Sequence, residues 1–185
     1  MLELRYFGDP ALRRHTSPVR RFDRELIRFV REMVDAMYAY RGIGLAAPQV
    51  GVLRQILVLD VSEEADEPEV LINPRILRRS DTVTEREGCL SLPGLQVEIA
   101  RAREIEVRYQ DEEGVEVTRR ESGLWARVVQ HEMDHLEGRL ITDFMEPEVR
   151  AAFEREWPEL RGPAVVERAN RVAVEGGVPA AQRDP

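Results

Sequence analysis

Lysine does not occur among the 185 residues, so all 27 basic side chains are arginines; we read this as compositional bias, not as a functional signal. Cysteine is nearly absent too. Cys89 stands alone, cannot form an internal disulfide, and gives no sign of an oxidising compartment. Cations are outnumbered: 35 acidic residues leave a formal net charge of −8 and a pI near 5.1. Binding to nucleic-acid phosphates or anionic membranes runs on clustered cations, so neither partner is expected. No apolar run approaches the roughly 20 residues of a membrane span. The first residues, Met1-Leu2-Glu3-Leu4-Arg5-Tyr6-Phe7, carry charges and lack the apolar core of a signal peptide. A soluble cytoplasmic protein is the expectation.

Hydrophobic residues make up 43% of the chain, enough to build a core in one domain. We expect that domain over residues 1–160. A weakly ordered tail is expected over 161–185, where glycine and proline accumulate, with at most one helical turn around Val165 to Arg171. Asp23 can cap a helix whose apolar positions (Leu26, Ile27, Val30, Met33, Val34, Met37, Tyr38) recur at helical spacing up to Arg41-Gly42. Gln55 to Val61 reads as a buried strand, and residues 62–69 as an acidic loop. Short strands are expected at 70–72 and 83–84. Alternation at Ile105, Val107 and Tyr109, then at Val115 and Val117, reads as a hairpin turning at residues 111–114. Ser122 can cap a second helix with Leu124, Val128, His131 and His135 on one stripe, ending near Gly138. A third helix is expected from Pro147 to about Trp157.

The sharpest signal is His131-Glu132-Met133-Asp134-His135. Residues four apart share a helix face, so both imidazoles can reach one ion. The bland alternative is two buried histidines bonded to carbonyls, which would need separate partners in a core. Glu132 is one residue round the helix, where it can reach a water beside the ion. Burial on the apolar flank would raise its pKa towards that of a general base. A catalytic site takes three protein ligands and keeps one position open. Cys89, behind Gly88, is the candidate third ligand, and a thiolate with two imidazoles suits Zn²⁺ or Fe²⁺. Taken alone, Cys89 would pass for a small buried apolar residue. The segment Gly42-Ile43-Gly44-Leu45-Ala46-Ala47-Pro48-Gln49 superficially fits a dinucleotide fingerprint, but a helix precedes it and Pro48 blocks a helix directly after. It reads better as backbone approaching a substrate, with the Gln49 amide placed to stabilise an oxyanion. An ordinary tight turn is the competing reading.

Taken together, the segments 42–49, Glu87-Gly88-Cys89-Leu90-Ser91 and 131–135 resemble the peptide deformylase family, in the same order and at similar separations. Asp9-Pro10 and Leu12-Arg13 are similar to the family's start, and the likeness runs from Met1 to about Ala152. The resemblance implies an α+β fold, with antiparallel sheets surrounding a central helix that carries the two histidines. It implies removal of the formyl group from N-formyl-methionyl peptides, with release of formate. Cys89, His131 and His135 would be the ligands, with Fe²⁺ the usual native metal and Zn²⁺, Ni²⁺ or Co²⁺ able to replace it. Glu132 would move protons, while Gln49 and the Leu90 N–H would stabilise the oxyanion. Ile43, Leu124, Val128 and His131 would line the methionine pocket. Glu87 would sit near its rim, and Gly44 would offer backbone bonds to the peptide.

Two positions depart from the family pattern. Arg127 stands where an apolar pocket residue is common; its head would reach solvent or narrow the pocket. Gln96 stands where some members use an arginine to hold the peptide. Some bacterial members dock on the ribosome through a basic C-terminal helix. Here residues 146–185 hold six arginines against eight acids, 6 − 8 = −2, so any ribosome contact would be transient and without a basic docking tail. A monomer is expected. Two other readings stay open: a zinc endopeptidase recruiting Glu154 or Glu156 as third ligand, and a binding module that holds chain ends without cutting them.

Overall fold

The computed structural model describes residues 2–160; the expected tail and its helical turn lie outside the described residues. Asp23 opens helix α1 (Arg24–Ala39), its Oδ1 accepting from the N–H groups of Glu25 and Leu26 at 3.1 Å each. Leu26, Val30, Met33, Ala36 and Met37 form its buried face, the 3.6-residue periodicity made solid.

The strands are β1 (Gly44–Ala46), β2 (Ile56–Leu59), β3 (Glu69–Ser80), β4 (Val83–Cys89), β5 (Leu92–Arg101), β6 (Glu104–Gln110) and β7 (Glu116–Ser122). Five of them form an antiparallel sheet in the order β1-β2-β3-β6-β7, and β4 pairs with β5 in a second sheet. Helix α2 (Gly123–Leu136) and helix α3 (Pro147–Leu160) complete the mixed α+β architecture.

Strand β2 shows how the layers stack. All four of its side chains are 0% exposed. Ile56 and Val58 pack with Met33 and Met37 of α1, whereas Leu57 and Leu59 pack with Trp125 and Val129 of α2. Alternate residues of a strand point to opposite faces, so helices cover both sides of this strand. Each such burial contributes about 1.5–3 kcal/mol before entropy is counted.

The hairpin β6–β7 forms where alternation placed it. Asp111 Oδ1 accepts from the N–H groups of Glu113 and Val115, at 3.0 and 2.9 Å, and closes the turn. Strands β3 and β4 run well beyond the expected short pieces. In β3 the pairing register with β6 shifts between Ile72 and Arg75, where Asn73 takes φ 53°, and this bulge hides the alternation. Strand β5 was not expected. It buries Leu92, Val97, Ile99 and Arg101, and the inward arginine breaks the apolar pattern. Ser122 precedes α2 but makes no side-chain cap; instead the Gly123 N–H donates to the Arg103 carbonyl at 2.9 Å.

The N-terminal segment ties the pieces together. Arg5 N–H donates to the Gln49 carbonyl at 2.7 Å and Phe7 N–H to the Ser91 carbonyl at 2.9 Å. Trp157 Nε1 of α3 donates to the Phe7 carbonyl at 2.9 Å. No helix among the described residues is long and apolar enough to cross a membrane.

Gly138 follows the C-cap Glu137 of α2 with φ 74°, and a Cβ there would lie 2.8 Å from the backbone carbonyl carbon and oxygen of Arg13. Gly94 has φ 82° but open space around it. Alanine at either position meets the left-handed penalty of about 1–2 kcal/mol; only Gly138→Ala adds a backbone clash, for a further 1–3 kcal/mol or so. Urea unfolding should therefore show a clearly larger loss for Gly138→Ala, and equal losses would contradict the close packing.

Candidate metal centre

Cys89 is the last residue of β4, and Leu90 and Ser91 form the two-residue turn into β5. His131 and His135 lie one turn apart on α2, their rings 5.1 Å apart at the centroids and nearly perpendicular. The fold brings the three together: ligand atoms of Cys89, His131 and His135 all lie within 4.8 Å of one another. Cys89 Sγ is 3.3 Å from His135 Nε2.

The surroundings prepare these groups as ligands. His131 Nδ1 lies 3.0 Å from Glu87 Oε2. A carboxylate only accepts, so Nδ1 donates its proton to Glu87, and Nε2 is left as the ring atom an ion can take once its own proton is released. Burial, then the charge of His131, holds the pKa of His135 well below its ordinary value, which keeps that ring neutral. Both features suit a divalent ion bound by a thiolate and two imidazoles.

Glu132 is 4% exposed. Burial pushes its carboxyl up to about 7, against the opposing charge of His131. Among the described residues its Oε2 has no hydrogen-bond partner, an orphaned acceptor facing the chemistry. Gln49 is 1% exposed. Its Oε1 accepts from the Ala46 N–H at 2.8 Å, which turns Nε2 towards Ser91 Oγ at 3.2 Å and Cys89 Sγ at 3.7 Å. A cavity of about 290 Å³ opens over these groups, and Ile43, Gly44, Leu90, Leu124 and Val128 line it.

A family model described as "Polypeptide deformylase" matches residues 1–151. The chain belongs to the polypeptide deformylase family. A peptide deformylase of Thermotoga neapolitana is 46% identical over 151 residues, 81% of this chain and 90% of the relative. The crystal structure of a Synechococcus elongatus peptide deformylase in complex with actinonin superposes with a TM-score of 0.78 at 43% identity, covering 84% of this chain and 87% of that one. The Legionella pneumophila peptide deformylase structure gives a TM-score of 0.80 at 32% identity, covering 95% and 98%.

Against this family background, two expected placements change. Glu87 lines the cavity but is not a rim residue: it is 6% exposed, with its oxygens turned into the protein. They accept from Arg101 Nε and Nη2 at 2.9 and 2.8 Å and from Arg127 Nη1 at 2.6 Å, besides meeting His131. Arg127 does not send its head to solvent. It is buried, and also bonds Glu85 and the carbonyls of Ile99 and Val83. Leu124 lines the cavity but is 52% exposed, because the buried face of α2 turns through Trp125, Val128 and Val129 instead. Gln96 is exposed on β5, opposite Gly88.

Several site residues carried no sequence signal strong enough to single them out. Arg101 bridges Glu87 to Asp134, its Nη1 2.5 Å from Asp134 Oδ2. Gln130 ties α2 to Ala102, accepting from its N–H at 3.1 Å and donating to its carbonyl at 2.9 Å. The alternation Leu95-Val97-Ile99-Arg101 could have found Arg101, as an arginine in an inward register. The endopeptidase alternative gains nothing: Glu154 pairs with Arg150 on α3, and the group of side chains able to hold an ion among the described residues includes Cys89 instead.

Burial alone would raise the Glu87 pKa; hydrogen bonds and charges from Arg101 and His131 more than reverse this and hold it at about 2. Glu87→Gln should cost about 3–5 kcal/mol near neutral pH, because buried cations lose their partner. It should also weaken metal binding about 10- to 100-fold, measured by chelator competition. A depressed carboxylate pKa stabilises the fold above the ordinary glutamate range and stops doing so as pH falls towards 2. The stability gap between wild type and variant should therefore close on acidification, and a gap constant down to pH 2 would contradict the ion-pair account.

Gly44 meets Glu132 directly: a Cβ there would lie 2.5 Å from Glu132 Oε1 and 2.7 Å from Val128 Cγ1. Gly44→Ala should displace the carboxylate and lower kcat on the order of 100-fold while metal content stays full; an unchanged kcat would show that the Glu132 position is not critical.

Proposed function

We propose that this chain removes the formyl group from the N-terminal formyl-methionine of newly made polypeptides. The observation that carries the reading is the convergence of Cys89, His131 and His135 beside the buried Glu132 and the Gln49 amide. Cys89, His131 and His135 would hold one divalent ion, Fe²⁺ natively, with Zn²⁺, Ni²⁺ or Co²⁺ as substitutes. Bound there, the ion supplies the Lewis acidity that polarises the formyl carbonyl and makes a water nucleophilic near neutral pH.

The rest belongs to the chain's own residues. Glu132, with its carboxyl at about 7, takes the proton of the attacking water and passes it to the departing amine nitrogen. The water oxygen bonds to the formyl carbon, the carbon–nitrogen bond breaks, and formate and a free amine result. As the carbonyl oxygen gains charge, Gln49 Nε2 and the Leu90 N–H donate to it. Glu87, Arg101 and Arg127 hold His131 in orientation. The methionine side chain packs against Ile43, Leu124 and Val128. Both β1 and β4 have a free edge on their sheets and both border the cavity through Gly44 and residues 86–89. An extended peptide can pair with such edges, using the backbone of Gly44.

We take α2 as the central helix around which both sheets are arranged, which its packing on β1, β2, β6 and β7 of the larger sheet and its ion pairs with Glu87 of β4 and Arg101 of β5 support. Residues 1–160 act as one catalytic domain, and the enzyme works as a cytoplasmic monomer on chains leaving the ribosome, with transient contact at most.

Formate release from formyl-Met-Ala under anaerobic conditions by metal-loaded protein tests the reading; absence of release would overturn it. Glu132→Ala should retain the metal and lose turnover by about 100- to 10,000-fold. A near-wild-type rate would remove Glu132 from proton transfer.

A further inference from the structure

The cavity mouth carries a charge pattern opposite to that of the whole chain. Its lining includes Arg41, Arg86 and Arg127, with Glu87 and Glu132 as the only carboxylates. Glu87 is consumed by Arg101, Arg127 and His131. Glu132 is buried at the floor. Arg127 is spent on Glu85 and Glu87. That leaves Arg41 and Arg86. Arg86 meets Glu98 at 3.6 Å, with the two side chains 72% and 67% exposed, a loose pair in water that another carboxylate can replace. Arg41 is exposed and forms no ion pair among the described residues.

The backbone at Arg41 strengthens the case. It follows the C-cap Tyr40 of α1 with φ 57°, the left-handed position where glycine or asparagine is the easy choice. The chain holds an arginine there against that preference, at the edge of the substrate cavity.

Resting on the deformylase reading, we propose that Arg41 and Arg86 select formyl-peptides with acidic side chains in the residues that follow the methionine. The formyl group must reach the Cys89–His131–His135 floor and the methionine must occupy the apolar wall. The next residues therefore leave through the mouth, past Ile43 and Leu124, which are 39% and 52% exposed. Carboxylates there meet the unpaired Arg41 and the Arg86 guanidinium that Glu98 holds only loosely, while lysine or arginine meets like charge.

The test compares formyl-Met-Ala-Ala-amide, formyl-Met-Asp-Asp-amide and formyl-Met-Arg-Arg-amide with anaerobic, metal-loaded enzyme, following formate release. The amidated ends keep the terminal carboxylate out of the comparison. The acidic peptide should exceed the neutral one by about two- to tenfold in kcat/KM, through KM more than kcat, with the basic peptide slowest. Raising the salt to about 0.5 M should shrink the differences, since the arginines are exposed. The double variant Arg41→Gly, Arg86→Gln should bring the acidic-to-neutral ratio close to one, and the glycine suits the backbone it replaces. Equal rates on all three peptides, or a preference that survives the double variant, would overturn the proposal while leaving the deformylase reading intact. No formate from any peptide would overturn both.

Discussion

Glu87 is a carboxylate at 6% exposure that three partners from two parts of the fold compete to hold. Arg101 comes from β5, while Arg127 and His131 come from α2. An isolated buried charge would be untenable. Because it is fully partnered, the charge can exist only when the β4–β5 sheet is docked on α2. Glu87 sits two residues before Cys89, so the same docking that satisfies the carboxylate delivers the thiol to the two imidazoles. The arrangement is a geometric condition more than a source of stability, since buried ion networks return little net free energy.

The rest of the site follows from that docking. Arg101 continues the network to Asp134, and Arg139 meets the other oxygen of that residue at 2.7 Å, so α2 is gripped on both sides of the motif. On the opposite wall, the residues 44–49 approach so closely that a glycine is required against Glu132. The same segment uses the Ala46 N–H to aim the Gln49 amide. The N-terminal segment then bonds both Gln49 and Ser91 through its backbone. His131 and Gln49 are thus oriented by partners that do not themselves react, which is what preorganised electrostatics demand.

Much of this was legible in the residues. Helices α1 and α2 follow from apolar spacing, and the β6–β7 hairpin from the Asp111–Gly114 turn. The meeting of Cys89 with the two histidines was legible because a lone thiol in a chain with a His-Glu-x-x-His helix has few other uses. The missing parts share a physical cause. Strand β3 is bulged at Asn73, so its alternation slips. Strand β5 turns an arginine inward, against the apolar pattern. Arg127 and Glu87 read as surface residues by type, and only tertiary contact shows that they neutralise each other in the interior. Leu124 was placed on the buried stripe because a helix pattern gives the angle of a face but not how wide the covering layer is.

The central claim is that one sulfur and two imidazole nitrogens bind the same ion. X-ray absorption spectroscopy of the anaerobically metal-loaded protein tests it most directly. The account predicts one sulfur neighbour, at about 2.3 Å for zinc, with nitrogen or oxygen neighbours at about 2.0–2.1 Å, and loss of the sulfur signal in Cys89→Ala. A wild-type spectrum with nitrogen and oxygen neighbours alone would contradict it.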